Sequence, residues 1–215
     1  LGINVGPNKD TNNKEEDYYL CLSKLSAYAG YLTINISSPN TEGLRDFHDE
    51  IELQKLLEGI NKIKKEKNIL KPLAIKLSPD INYKEISKII ELILKYKIEG
   101  VIVSNTTDSN RDNLIDEQKK EKGGLSGQPL KNISTELIKK FFKETKGRVK
   151  IIGVGGVDSG KTAFEKICAG ADVVQLYTGM VYKGPGVVKA IKKELITILK
   201  KENLENISEA VGINA

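Results

Sequence analysis

Six short runs rich in valine and isoleucine, each followed by a stretch with helical spacing, restrict the fold of this chain more than any other feature. The runs are Leu1 to Val5, Tyr31 to Ile36, Pro72 to Leu77, Gly100 to Ser104, Val149 to Val154 and Asp172 to Tyr177. Their near-continuous apolar character predicts strands buried on both faces, which is the pattern of parallel sheets. Glu15 to Ala29, Glu50 to Lys67, Tyr83 to Tyr96, Ile133 to Thr145, Lys161 to Ala169 and Gly186 to Lys201 repeat apolar residues at helical intervals. Regular alternation of this kind predicts right-handed βα units, wound either as an open doubly wound sheet or as a (β/α)8 TIM-type barrel. Six units would leave an eight-unit cylinder two strands short.

At 215 residues and 39% hydrophobic content the chain can bury the core of one domain, expected to span residues 1 to 215. The formal net charge of +5 comes from lysines that recur within apolar-periodic segments, such as Ile60 to Lys67 and Lys192 to Lys201. They read as solvated helix faces, and without an arginine-rich stripe interleaved with aromatics no nucleic-acid surface is expected. Cys21 and Cys168 lie far apart, in no CxxC or Cys/His cluster, so neither a zinc site nor a disulfide framework is predicted. Both fall on predicted helices and read as packing groups. No apolar run approaches the roughly 20 residues of a membrane span. The chain opens without methionine and already inside a strand-like run, which reads as an excerpt of a longer polypeptide.

Polar residues cluster where predicted strands end, the place where parallel α/β enzymes put their sites. The second run leads into Asn35-Ile36-Ser37-Ser38-Pro39-Asn40-Thr41-Glu42-Gly43-Leu44-Arg45, where alternation aims Asn35 inward and Pro39 ends the ladder. Taken alone, that tract is equally an ordinary Asn/Ser/Pro turn. Lys76 stands in the apolar register of the third run, where a cation calls for an anionic partner unless it escapes to an edge. The fourth run ends in Ser104-Asn105-Thr106-Thr107, and the last two in Gly153 to Gly160 and Tyr177-Thr178-Gly179. Glycines and a helix amino terminus after the final strands suit a phosphate. The one long irregular connection, Thr106 to Lys131, contains Asn113, Gly123, Gly124, Gly127 and Pro129 and reads as a lid.

Gly155 to Thr162 also matches G-x-x-x-x-G-K-[ST], the P-loop pattern of nucleotide-triphosphate binding, between a strand and a helix. Against that reading, the next strand ends in no acidic residue to hold Mg²⁺. His48, the only histidine, is on chemistry alone the first suspect for a base. It lies beyond the strand-tip tract, in Asp46-Phe47-His48-Asp49-Glu50, and reads as a loop or helix-start residue.

In order and spacing, seven tracts together resemble class 2, quinone-linked dihydroorotate dehydrogenase through nearly the whole chain. They are Asn4 within Leu-Gly-Ile-Asn-Val-Gly, the Asn35 to Arg45 run, Lys76, Ser104 to Thr107, Gly123 to Gly127, the Gly155-Gly156 turn and Gln175 to Thr178. The resemblance implies a barrel flavoenzyme of pyrimidine synthesis that oxidises dihydroorotate to orotate with FMN and passes the electrons to a quinone. It implies that Ser38 is the base that takes the C5 proton; class 1 enzymes have cysteine there. Asn35, Asn40, Asn105 and Thr106 would hydrogen-bond the pyrimidine, and Asn4, Asn35, Lys76, Ser104, Gly127, Gly156, Tyr177 and Thr178 would contact FMN. Thr41 is the candidate relay for the proton of Ser38, and Lys76 would stabilise charge developing on the flavin.

The resemblance further implies two preceding barrel strands and a helical pair for quinone access and membrane attachment. Without them this piece is not expected to act by itself. A membrane-associated location follows, at the mitochondrial inner membrane in a eukaryote or the cytoplasmic membrane in a bacterium. The alternatives are another FMN barrel oxidoreductase, such as a dihydropyrimidine or dihydrouridine reductase, which would carry cysteine in place of Ser38, and a non-catalytic barrel scaffold.

Overall fold

A computed structural model describes all of residues 1–215 except Asn110 and Asn113, so the Asn113 position of the expected lid lies outside the described residues. Six strands form, β1 Gly2–Val5, β2 Tyr31–Asn35, β3 Leu73–Leu77, β4 Gly100–Val103, β5 Lys150–Val154 and β6 Val173–Gln175. All neighbours are parallel and the sheet order follows the chain order, β1 to β6. A doubly wound sheet reverses direction at a switch point; a sequential order is that of a barrel wall.

The wall curls. Gln175 at the end of β6 donates from Nε2 to the Tyr31 hydroxyl at the start of β2, at 3.3 Å. In a flat sheet those strands, four spacings apart, would stand roughly 19 Å from each other. The result is a half-barrel in which β1 and β6 each pair on one side only.

The helices are α1 Lys14–Leu25, α2 Glu50–Glu66, α3 Tyr83–Lys95, α4 Lys131–Thr145, α5 Gly160–Cys168, α6 Thr178–Lys183 and α7 Val187–Lys201. Helix α2 shows why they form where they do. Asp49 caps it by accepting from the amides of Ile51 and Glu52, at 2.9 and 3.3 Å. Glu50 and Glu52 occupy its positive first turn, and Lys64 and Lys65 its negative last one. Leu53, Leu56, Leu57 and Ile60 form the buried stripe against the sheet. In α3, Ile86, Ile89, Ile90 and Ile93 do the same behind an Asn82 cap. The lysines of α7 at 192, 193, 200 and 201 face solvent, as expected.

Two element ends and one additional helix stand out against the sequence expectation. Helix α1 ends at Leu25 and continues as a 3-10 turn, Ser26–Tyr28, because the chain must drop into β2, where the Gly30 amide donates to the Leu1 carbonyl at 2.7 Å. Strand β6 stops at Gln175, since Tyr177 caps the short helix α6. That helix, at six residues, is too brief to show a period. Cys21 and Cys168 are free thiols on α1 and α5.

Candidate active site

Strand alternation and register put Asn35 and Lys76 side by side on the inner face of the curled wall. Beyond the strand tips opens a cavity of about 800 Å³, lined by Lys76, the Ser104 to Thr106 tip, Gly124 to Leu130, Val154 to Asp158 and Leu176 to Gly179. Nine expected site residues meet there or one contact away. Lys76, Ser104, Asn105, Thr106, Gly127, Gly156, Tyr177 and Thr178 line the cavity itself. Asn35 stands behind Asn105, whose Nδ2 donates to Asn35 Oδ1 at 3.4 Å and to Ser37 Oγ at 2.9 Å. Ser37 Oγ in turn donates to Asn35 Oδ1 at 2.8 Å. This closed triangle fixes the amide of Asn105 at the wall, because each polar group loses a partner if one rotates.

Ser38, Asn40 and Thr41 sit on the loop that follows β2, outside the main lining. The Asn40 amide donates to Ser38 Oγ at 3.2 Å, and the Thr41 carbonyl receives the Leu44 amide at 3.2 Å. Pro39 and Asn40 border an adjoining cleft of about 580 Å³ with Asp108, Arg111 and the lid residues Lys119 to Gly123. The lid returns from there to the main cavity. Thr107 and Leu125 exchange backbone bonds at 3.1 and 2.6 Å, and Ser126 Oγ meets Thr178 Oγ1 at 2.8 Å. Gly124 allows this closure, since a Cβ there would overlap Thr106 and crowd Pro39. Asn4 pairs in register with Thr33, which places it in the row below Asn35 and away from the cavity lining.

The far end of the cavity is made of backbone. Gly155 and Gly156 adopt φ of 120° and 70°, and a Cβ on Gly156 would stand 2.9 Å from Lys131 Cα. A Cβ on Gly179 would stand 2.7 Å from the Val157 carbonyl oxygen. Side chains are therefore excluded at these turns, where the main chain packs directly on Lys131 and Val157 and is left to border the cavity itself. Asp158 borders this end; burial works to raise its pKa, yet hydrogen bonds from Lys183, Gln128 and Thr162 prevail and hold it below the ordinary carboxylate range.

Two cations line the cavity, Lys183, which pairs with Asp158 at 3.3 Å, and Lys76. Burial lowers the pKa of Lys76, and no carboxylate contributes to its environment, so the anion that such a lysine calls for is to be supplied by a ligand. Together, the glycine turns and a lysine with no acidic partner among the described residues fit a flat, anionic, phosphorylated group.

The P-loop pattern has another physical cause. A Cβ on Gly160 would stand 2.3 Å from Glu194 Cβ, so this glycine lets α7 pack on α5. The Gly160 amide donates to Glu194 Oε2 at 2.5 Å, and Ser159 and Thr162 close a capping box. The amino terminus of α5 is thereby satisfied within the protein.

Sequence reasoning missed several groups at the rim. His48 is buried on a 3-10 turn, Arg45–His48, with Nδ1 at 2.9 Å from the Arg45 carbonyl and Nε2 accepting from the Ser78 amide at 3.2 Å. Both ring nitrogens are thus used by the main chain, and burial lowers its pKa. It is a structural strut at the start of α2, in keeping with its reading as a loop or helix-start residue and not a base. Arg45 and Asp80 form an ion pair at 3.1 Å, and Arg45 also reaches Asp108 at 2.7 Å. The available signal was that Ser78-Pro79-Asp80 follows β3 as the other polar tracts follow their strands.

Fold and site define an α/β-barrel type of protein with a cavity at the carboxyl tips of its strands. A sequence model described as dihydroorotate dehydrogenase matches residues 1–199, and the chain belongs to that family. It is 45% identical over 203 residues to a protein of Vibrio vulnificus strain YJ016 named dihydroorotate dehydrogenase (quinone), covering 91% of this chain and 60% of the relative. A protein of the same name from Bartonella tribocorum is 42% identical over 213 residues, covering 97% of this chain and 59% of that one. A crystal structure of DHODH from Eimeria tenella in complex with ferulenol superposes with a TM-score of 0.95 at 35% identity, over 100% of this chain and 61% of that one. The chain thus spans about three fifths of the length of these relatives.

Proposed function

We propose that this chain forms the FMN- and dihydroorotate-binding part of a quinone-linked dihydroorotate dehydrogenase acting in pyrimidine synthesis. The observation that carries the reading is the convergence of Lys76, Ser104, Asn105, Thr106, Gly127, Gly156, Tyr177 and Thr178 on one cavity. Its volume, about 800 Å³, lies within the range of cofactor sites. When bound, FMN supplies the acceptor for the hydride that leaves C6 of dihydroorotate with its electron pair.

The chain's own residues do the rest. Ser38 Oγ takes the C5 proton as it gives up its own hydroxyl proton, which Thr41 relays toward water, and the C5–H electron pair becomes the C5–C6 double bond of orotate. General-base help of this kind contributes ~10² to 10⁴ in rate. Asn35, Asn40, Asn105 and Thr106 read the edge of the ring, asparagine offering donor and acceptor on one side chain. Lys76 stabilises negative charge in the cavity; at ~4 Å and an effective dielectric of ~20 this attraction is about 4 kcal/mol before desolvation. Gly127, Gly156 and Thr178 hold the phosphate end and Ser104 and Tyr177 add flavin contacts from the lining, while Asn4, one row below Asn35, meets the part of the flavin that extends past that lining.

The same reading brings the protein to a membrane surface, where a lipid-soluble quinone is reduced: the inner mitochondrial membrane in a eukaryote, the cytoplasmic membrane in a bacterium. Among the described residues no helix is long and apolar enough to cross a membrane.

Purified full-length protein is expected to carry flavin absorbance that bleaches when dihydroorotate is added without oxygen. Folded full-length protein that takes up no FMN would overturn the reading. Ser38→Ala should keep its flavin and lose the bleaching; wild-type reduction kinetics in that variant would put the base elsewhere.

A further inference from the structure

We propose that Arg45, anchored by Asp80, is a positioning residue for proton abstraction. Its guanidinium sets where the Ser38 loop stands relative to Thr106 and the cavity wall. This rests on the reading of Ser38 as the base.

Four contacts radiate from that one planar group. Nε donates to the Ser37 carbonyl and NH2 to the Thr106 carbonyl, each at 3.4 Å. NH1 meets Asp108 Oδ1 at 2.7 Å, and NH2 meets Asp80 Oδ2 at 3.1 Å. The tips of β2, β3 and β4 are therefore tied through a single side chain. The two carbonyl contacts are long and weak singly, and the carboxylates hold the fork in place to make them. Ser37 immediately precedes Ser38, so the bond to its carbonyl orients the peptide that leads into the base.

Asp80 is held in turn. It accepts from Ser109 Oγ at 2.7 Å, from the Asp108 amide at 3.3 Å and from Thr107 Oγ1. Thr107 is the residue paired with Leu125 on the returning limb of the lid. Base loop, Arg45, Asp80 and lid limb thus form one connected unit. The side chains of Arg45 and Asp80 are only 25% and 18% exposed, which sets the pair apart from the solvated ion pairs of the helix surfaces. Lysine cannot replace this function, because a point charge on a flexible stem has no fork to bridge three loops.

The test uses flavin-loaded protein and anaerobic reduction by dihydroorotate, in wild type, Ser38→Ala, Arg45→Lys and Asp80→Asn. The last is close to isosteric, so it serves if Arg45→Lys fails to fold. Both clamp variants are expected to keep their flavin and their substrate affinity. Their limiting rate of flavin reduction should fall roughly 10²-fold, the cost of about 1 Å of misplacement. The isotope effect from deuterium at C5 should rise above that of wild type, while that at C6 does not. A group that merely holds the fold together would lower flavin content or melting temperature and leave the C5 isotope effect alone. Wild-type reduction rates and C5 isotope effects in a folded clamp variant overturn the proposal. Wild-type rates in Ser38→Ala would instead overturn the assignment of the base on which it rests.

Discussion

The two ends of the cavity are built from opposite materials. At the tips of β2, β3 and β4, side chains do the work: Asn35, Ser37 and Asn105 lock one another, and Arg45 and Asp80 bind the loops together. At the tips of β5 and β6 the main chain does it, with Gly155, Gly156 and Gly179 packed so closely on Leu130, Lys131 and Val157 that a Cβ would collide with them. A side-chain wall can discriminate the edge pattern of a small ring, since each donor or acceptor demands its complement. A glycine wall offers closely approaching N–H groups, which favour a phosphate whatever it is attached to. The first kind fails when a partner is removed and the second when an atom is added.

The largest effect should come from adding an atom. Gly156→Ala puts a methyl at φ of 70° and 2.9 Å from Lys131 Cα, so backbone must move. Strain of ~1 to 3 kcal/mol is expected to weaken FMN binding by roughly tenfold to a hundredfold. Flavin fluorescence titration would show it, and undiminished affinity would erase the distinction between the two ends.

A smaller effect should come from behind the glycine wall. Lys166 is fully buried, with Nζ donating to the Lys131 carbonyl at 3.0 Å and to Thr135 Oγ1 at 2.8 Å, and so steadies the start of α4 against Gly156. Burial foremost pushes its pKa down from 10.5 to about 7. The unfolded chain therefore holds the extra proton between those values, and stability should rise as pH rises from 7 toward 10.5. The slope has a ceiling of ~1.4 kcal/mol per pH unit. Chemical denaturation of wild type and Lys166→Met across that window is expected to show the slope in the former and its loss in the latter.

The smallest effect should come from removing one partner on the side-chain end. Tyr18 is buried edge-on to Phe47 and donates its hydroxyl to the Asn35 carbonyl at 2.6 Å. Tyr18→Phe should cost about 1 kcal/mol in a denaturant titration. FMN affinity should stay unchanged, whereas a loss as large as that of Gly156→Ala would mean the two ends are not separable.

Which parts were readable from sequence follows from the range of the interactions. Strand and helix positions came within a few residues, because runs such as Leu73 to Leu77 and the stripe Ile86, Ile89, Ile90, Ile93 are local patterns. The cavity set was readable because strand tips in a parallel wall share one end. The choice between an open sheet and a barrel wall was settled by resemblance and then by strand order, since apolar runs carry no neighbour information. Arg45, Asp80 and Asp108 are brought together from positions 35 and 28 residues apart, and their own segments show only that each follows a strand tip, not that they meet. His48 looked like a loop residue because its partners, the Arg45 carbonyl and the Ser78 amide, are main-chain groups. Lys166 reads in sequence as one more surface lysine of an amphipathic helix.

The tethering of Glu194 to the Gly160 amide has an implication for pattern matching. A carboxylate on an adjoining helix acts as an internal competitor with an effective concentration on the order of millimolar or higher. Free nucleotide at cellular levels would have to evict an anion that never diffuses away. A consensus string can thus be complete in letters while its binding function has been taken over by the fold's own packing.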